Sequence, residues 1–233
     1  MANRPVFIAS NEKGVFFNER NIEFEWFPGM ATSQKQKSVN SLHTAAKSYG
    51  IENILEVSTK SEDVLGNKLS AFNLAFPKEN GKKIFIEAAF QGSKIFENGG
   101  PYTDLYEVEP IQIKKDERLE NKFKIIGFNF EGDIWKNEPK TAFYDWLYIN
   151  ALNQNINLNS SNYEEIVNYN AFTDIEFNPK KSINCQARSC AVYVSLSKKG
   201  LLERALESKY TFLEILSEAP FYSVNTTGQG ELF

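Results

Sequence analysis

The sequence predicts a single α+β domain, predominantly helical, with a few short strands. Three observations carry that expectation. Several long stretches repeat apolar residues at intervals of three and four, the period of a helix with one buried face. Shorter runs such as Glu23-Phe24-Glu25-Trp26-Phe27 alternate instead, as a half-buried strand does. No repeat, long linker or break in composition divides the 233 residues over 1–233, which suffice for one sizeable core.

Residues 6–8 and 22–27 read as strands around a turn at Gly14, the second closed by Pro28-Gly29. Ser33 is placed to cap a helix running to about Tyr49, with Val39, Leu42, Ala46 and Tyr49 on its buried face and Gly50 as its stop. Residues 54–57 form the next strand, and Ser61 caps a short helical turn ended by Gly66. Residues 82–86 read as a strand leading into a helix over 86–97, which Asn98-Gly99-Gly100-Pro101 terminates. A short helix near 110–119 and a strand at 124–130 follow. Pro139 opens a helix to about Asn153, with Phe143, Trp146, Leu147 and Ala151 inward. Residues 163–169 are helical, and 170–181 read as an irregular polar loop. The helix after Ser182 buries Ala187, Cys190, Ala191 and Val194, and helices near 199–207 and 211–216 precede a loose tail around 226–230.

Composition narrows the function classes. A net charge of −4 supplies no global basic field, so any contact with nucleic acid has to come from a local patch. No apolar run approaches the roughly 18 residues of a membrane helix, and Met1-Ala2-Asn3-Arg4-Pro5 is not a secretory signal. A cytoplasmic protein with no membrane contact is expected. Cys185 and Cys190 point to different faces of a helix and read as reduced, structural thiols. His43 is the single histidine, set mid-helix among Leu42, Ala45 and Ala46, and reads as structural. With those two cysteines it cannot build a zinc site of common design, so no metal is expected. Chemistry falls to carboxylates, lysines and aromatics.

Read as a helix, 86–97 places Glu87, Gln91 and Lys94 on one face, with Phe90 beside them. Such groups cost free energy when buried without partners, so the face reads as the floor of a polar pocket. It reads equally as a solvated surface opposite a buried Ala88 and Ala89. In a pocket, the carboxylate could stabilise a cationic transition state, and a shielded lysine could serve as a nucleophilic amine. In Phe172-Thr173-Asp174-Ile175-Glu176, Asp174 can act as general acid or base, or simply form a turn. Lys35 and Lys37, in a basic helix opening, oppose the helix dipole and call for an anion or a solvated first turn. Lys114-Lys115-Asp116-Glu117-Arg118 reads as an exposed face laced with its own charges.

Together these stretches resemble the NADAR family, whose YbiA-like fold is linked to NAD and ADP-ribose chemistry. Leu69-Ser70-Ala71-Phe72-Asn73 stands for the F-S-N-F element of compact members. Glu87-Ala88-Ala89-Phe90-Gln91-Gly92-Ser93-Lys94 stands for their E-x-x-F-Q-x-x-K, and Phe172-Thr173-Asp174 with Asn184 for their W-G-D loop and following Asn. The likeness covers roughly 65–200, within a family core of about 65–216 behind an N-terminal extension of about 1–64. The whole chain resembles one branch more closely, the NADAR antitoxins encoded beside DarT toxins, through Glu25-Trp26-Phe27-Pro28-Gly29, 33–38, 89–102 and 172–188. It departs from compact members in having Phe172 for the loop Trp and 175–181 for a glycine-rich stretch.

The resemblance implies an N-glycosyl hydrolase and antitoxin that removes ADP-ribose from guanine bases of single-stranded DNA, where a partner DarT-type toxin attached it. It implies no cofactor. Its substrate would be ADP-ribosylated single-stranded DNA, and its functional partner the cognate toxin. Carried onto this sequence, Glu87 faces the anomeric carbon, and Asp174 moves a proton or holds a ribose hydroxyl. Lys94 contacts the ribose or attacks it. Ser70, Gln91, Asn184 and Arg188 fall to ribose and pyrophosphate binding, Phe72, Trp135 and Phe172 to stacking, and Lys35 and Lys37 to anionic groups. The alternatives are a non-catalytic neutraliser that binds ADP-ribose or the toxin, and a glycosidase of a phosphoribosyl-amine metabolite.

Overall fold

A computed structural model describes residues 1–79, 81–120, 123–158 and 162–222. The chain opens with an antiparallel hairpin, β1 (Ala2–Ala9) and β2 (Phe17–Phe24), in register from Ala2↔Phe24 to Ala9↔Phe17. β3 (Ile54–Glu56) and β9 (Ala171–Thr173) complete a four-stranded sheet in the order β2-β1-β9-β3, with β9 antiparallel to β1 and parallel to β3. Alternation along these strands sends Val6 and Ala171 to one face and Phe7 and Phe172 to the other. α1 (Thr32–Lys47) covers the first face with Val39, Leu42 and Ala46. α6 (Gln186–Lys198) covers the second.

β9 corrects the expected loop over 170–181. Its three residues are buried on both faces, so a strand flanked by Asn170 and Asp174 leaves no alternation to read. The sheets make the molecule a mixed α/β structure rather than the predominantly helical one expected.

α5 (Ala142–Asn157) runs through the centre, touching α6 on one side and the other sheets on the other. Phe143, Leu147 and Ala151 are buried as expected, whereas Trp146 is only half-buried. The preceding segments are α2 (Val64–Lys68), β4 (Ala75–Pro77), β5 (Lys83–Phe85), α3 (Ile86–Gly92), β6 (Lys94–Phe96) and α4 (Pro110–Ile113). β7 (Ile125–Phe130) pairs with β6 and with β8 (Asp133–Lys136), a strand absent from the sequence reading. The β7–β8 turn uses Glu131 and Gly132 at φ 51° and 96°, the positive-φ pair that a two-residue hairpin demands. Short 3-10 turns at Thr103–Glu107, Glu117–Leu119 and Tyr163–Asn168, then α7 (Leu202–Leu206) and α8 (Lys209–Ser217), complete the described chain.

The main departure is the helix expected over 86–97, which stops at Gly92. A Cβ there would lie 2.6 Å from Tyr106 Cε1, and the Gly92 carbonyl accepts from the Tyr102 backbone N–H at 2.7 Å. Ser93 Oγ turns back to the Ala89 carbonyl at 2.6 Å, and Ile95-Phe96 continue as strand, which suits their shapes. Smaller corrections concern caps. Ala31, not Ser33, precedes α1 and makes no side-chain cap, and Asp63, not Ser61, caps α2, with Gly66 inside it. Tyr49 is exposed, lying under the Arg20 guanidinium at 4.3 Å. The tail around 226–230 lies outside the described residues. Among them, no helix is long and apolar enough to cross a membrane.

Candidate functional site

The first turn of α3 is fixed from behind. Glu87 N–H donates to the Ala71 carbonyl at 3.0 Å, and Ile86 N–H to the Leu74 carbonyl at 2.9 Å, so the 69–73 turn holds the helix start. Gln186, at the opening of α6, accepts from Ala71 N–H at 2.7 Å and donates to the Val57 carbonyl at 2.6 Å. One buried amide thus ties α6 and the segment after β3 to the turn beneath Glu87. Nothing in the local sequence pattern around Gln186 marks it for this role.

Glu87 and Gln91 stand on α3, and Lys94 on the strand that follows it. Gln91 Nε2 donates to Glu87 Oε1 at 3.0 Å. Lys94 arrives from β6 and lays its Nζ 4.9 Å from the centre of the Phe90 ring. Burial lowers the Lys94 pKa to about 8, against an upward pull from the Glu87 charge. Glu87 and Lys94 are both partly buried, neither stranded in the core nor free in solvent.

Tyr144 on α5 packs edge-on against Phe90, with ring centres 5.2 Å apart. Burial raises its hydroxyl pKa well above the ordinary value, and the charge of Glu87 pushes the same way. Asp174 Oδ1 accepts from Glu176 N–H at 3.0 Å and Phe177 N–H at 3.2 Å. Its pKa lies well above the usual carboxylate range, first through desolvation and then through the charge of Glu56. Glu56, at the end of β3, is 3% exposed. It accepts from Ser58 Oγ at 2.6 Å, Thr173 Oγ1 at 2.7 Å and Ile175 N–H at 2.8 Å. A glutamate inside the apolar run Ile54-Leu55-Glu56-Val57 was the available signal for it.

The other expected residues divide into two groups. In the first group, Ser70 Oγ accepts from Phe72 N–H at 3.3 Å, and half-buried Phe72 carries the Lys114 ammonium 4.7 Å above its ring. Asn184 is partly buried, and its Oδ1 has no hydrogen-bond partner. Lys35 pairs with Glu176 at 3.1 Å and sits 4.8 Å from the Trp26 ring, while Lys37 is exposed. Three residues belong to the interior instead. Trp135 packs against Phe143, Trp146 and Phe212, and Phe172 is fully buried in β9, so neither presents a ring face for stacking. Arg188 is held by Asp145 at 3.2 Å and by the Ile183 carbonyl at 2.6 Å, which occupies the guanidinium expected to meet a pyrophosphate. Asp145 also accepts from Ser189 Oγ at 2.6 Å and Tyr222 Oη at 2.9 Å. Both cysteines are free and buried.

A family model for DarT1-associated NADAR antitoxins matches residues 2–225. The chain belongs to this family. No curated protein gives a match. Within the NADAR antitoxin, a cleft of about 570 Å³ lies elsewhere, lined by Lys78, Lys82, Lys83, Phe85, Tyr106 and Glu107. It contains none of the residues singled out above, and Lys78 and Lys82 are paired with Glu131 and Glu107. Among the described residues no group of three or more His, Cys, Asp or Glu is arranged to hold a metal ion.

Proposed function

We propose that the protein is an N-glycosidase that removes ADP-ribose from guanine bases of single-stranded DNA, reversing the modification made by its cognate DarT-type toxin. Family membership supports the antitoxin role, and with it we infer a YbiA-like fold and action in the cytoplasm. The observation that carries the chemistry is the partly buried Glu87 carboxylate, hydrogen-bonded by Gln91 at 3.0 Å on a helix start that Gln186 ties to α6.

Breaking the ribosyl C–N bond builds positive charge at the anomeric carbon, and a fixed carboxylate lowers that barrier. Glu87 takes this role, with one oxygen oriented by Gln91. The departing guanine amine needs a proton, and Asp174 keeps its own to higher pH than an ordinary carboxyl. Water then adds at the anomeric carbon, giving free ADP-ribose and unmodified guanine. In this reading Asn184, whose Oδ1 is unpartnered, meets ribose hydroxyls with Ser70 and Gln91, and Phe72 with Lys114 meets a base and a phosphate. Lys35 and Lys37 serve the DNA strand or the pyrophosphate.

The partial desolvation of Lys94 favours a second route to the same products. Its neutral amine attacks the anomeric carbon, guanine leaves with the proton, and the sugar opens to an imine that water hydrolyses. In either route an ADP-ribosylated single-stranded oligonucleotide should lose its label over many turnovers per protein. Glu87→Gln should cut the rate by about 10²–10³-fold. Release limited to one equivalent would instead mark a stoichiometric binder.

A further inference from the structure

Glu56 grips the chain on both sides of Asp174. Its Oε2 accepts from Thr173 Oγ1 at 2.7 Å, and its Oε1 from Ile175 N–H at 2.8 Å and Ser58 Oγ at 2.6 Å. Behind it, His43 Nε2 lies 2.8 Å from Thr173 Oγ1. A threonine hydroxyl has one proton. With that proton given to Glu56, the His43 nitrogen must donate, which fixes a neutral Nε2–H imidazole. Burial first, and the nearby Lys47 second, hold His43 neutral by lowering its pKa to about 4.

The two carboxylates are therefore unlike. Glu56 has three donors that pull its pKa down, but burial outweighs them and leaves it raised, though less strongly than that of Asp174. Asp174 has two backbone donors, both on Oδ1, and Oδ2 has no hydrogen-bond partner among the described residues. We propose that Glu56 is a positioning residue for Asp174: a buried carboxylate, anchored through Thr173 and His43, whose negative charge keeps the acid's proton on Asp174. Two carboxyl groups that cannot both ionise divide one proton according to which is better solvated by donors, and here that division favours Asp174 as the protonated partner. The inference rests on Asp174 being the donor to the guanine amine.

Among the remaining ionisable groups around Asp174, Glu176 alone adds to that charge, and less than Glu56 does. Tyr144 on α5, Cys185 ahead of α6 and Cys190 within it are kept neutral by burial. Glu176, on the same loop and paired with Lys35 at 3.1 Å, pushes Asp174 the same way but less than Glu56 does. Arg188 is committed to Asp145.

The test is the pH dependence of kcat/KM for release of ADP-ribose from a modified single-stranded oligonucleotide, in wild type and Glu56→Gln. A carboxamide fits the site: Oε1 keeps its two donors, and the new N–H₂ meets Thr173, whose hydroxyl reverses onto a His43 that has changed tautomer. Loss of the charge should move the alkaline limb down by about one pH unit or more, with activity retained on the acid side. A purely structural Glu56 would lower activity at every pH and leave the limb in place, which overturns the inference. Should the variant not fold, ¹⁵N NMR of the wild-type protein decides, since His43 is its single histidine. Nε2–H is expected, and an Nδ1–H tautomer overturns the arrangement. A wild-type protein that releases no ADP-ribose refutes the glycosidase reading itself. An active one with an unmoved limb in Glu56→Gln refutes only the role of Glu56.

Discussion

Replacing Lys94 by Met keeps the methylenes over Phe90 and removes the charge. The lysine pKa falls from an ordinary 10.5 to about 8, mainly through burial. That gap corresponds to about 3 kcal/mol of penalty on the charged form in the folded protein. The side chain is only partly buried, and its attraction to Glu87 is lost with it, so a gain of about 1–3 kcal/mol is the reasonable expectation. The folded pKa lies below the unfolded one. Stability of the wild type should therefore rise with pH between about 8 and 10.5, where the unfolded chain still binds a proton that the folded chain has released. Urea denaturation near neutral pH should show Lys94→Met to be the more stable protein, with the difference narrowing towards about pH 10. Turnover should be lost at both. A variant no more stable than wild type at neutral pH, or a difference that does not change with pH, would refute the claim that Lys94 is held against its own solvation for function.

The route through Lys94 is separable by pH and trapping. If the ammonium only steadies the ribose, activity should fall as pH rises through about 8. If the amine attacks, activity should rise there, and borohydride during turnover should leave a covalent adduct seen by mass spectrometry. Asp145→Ala leaves Arg188 buried without its partner, and should cost about 3–5 kcal/mol in denaturant unfolding. Phe172→Ala should cost about 3–5 kcal/mol, whereas Trp135→Phe should leave KM for modified DNA unchanged, since both rings belong to the core. Phe72→Ala, which removes a half-buried ring, should raise KM with little loss of folding stability.

Much of the scaffold could be read from the residues because local pattern and tertiary burial agree there. The β1–β2 hairpin closes around its Gly14 turn, and α1 carries its buried Val39, Leu42 and Ala46 at helical spacing. The pieces that were not legible depend on distant contacts. β9 is a three-residue strand whose neighbours β1 and β3 are more than a hundred residues away in sequence. α3 ends early because Tyr106 packs on Gly92, which the sequence of the helix does not record. The same holds for the site. Glu87 and Gln91 follow from helical spacing, but Lys94 stands on a strand. Glu56, Tyr144 and Gln186 each occupy positions patterned as core, and only tertiary packing brings their polar atoms to the cluster. Aromatic rings were the least decidable, because an exposed stacking ring and a core ring have the same side chain. Phe72 proved half-exposed, and Trp135 and Phe172 proved buried.

Glu87 and Asp174 must act on one sugar for the chemistry to work. A structure of Asp174→Asn with ADP-ribose bound tests this most directly. The account predicts the anomeric carbon within about 3.5 Å of the Glu87 carboxylate, with residue 174 on the side of the departing base. A ribose seated in the lysine-lined cleft near Tyr106, or one whose anomeric carbon lies beyond the reach of Glu87, would contradict it.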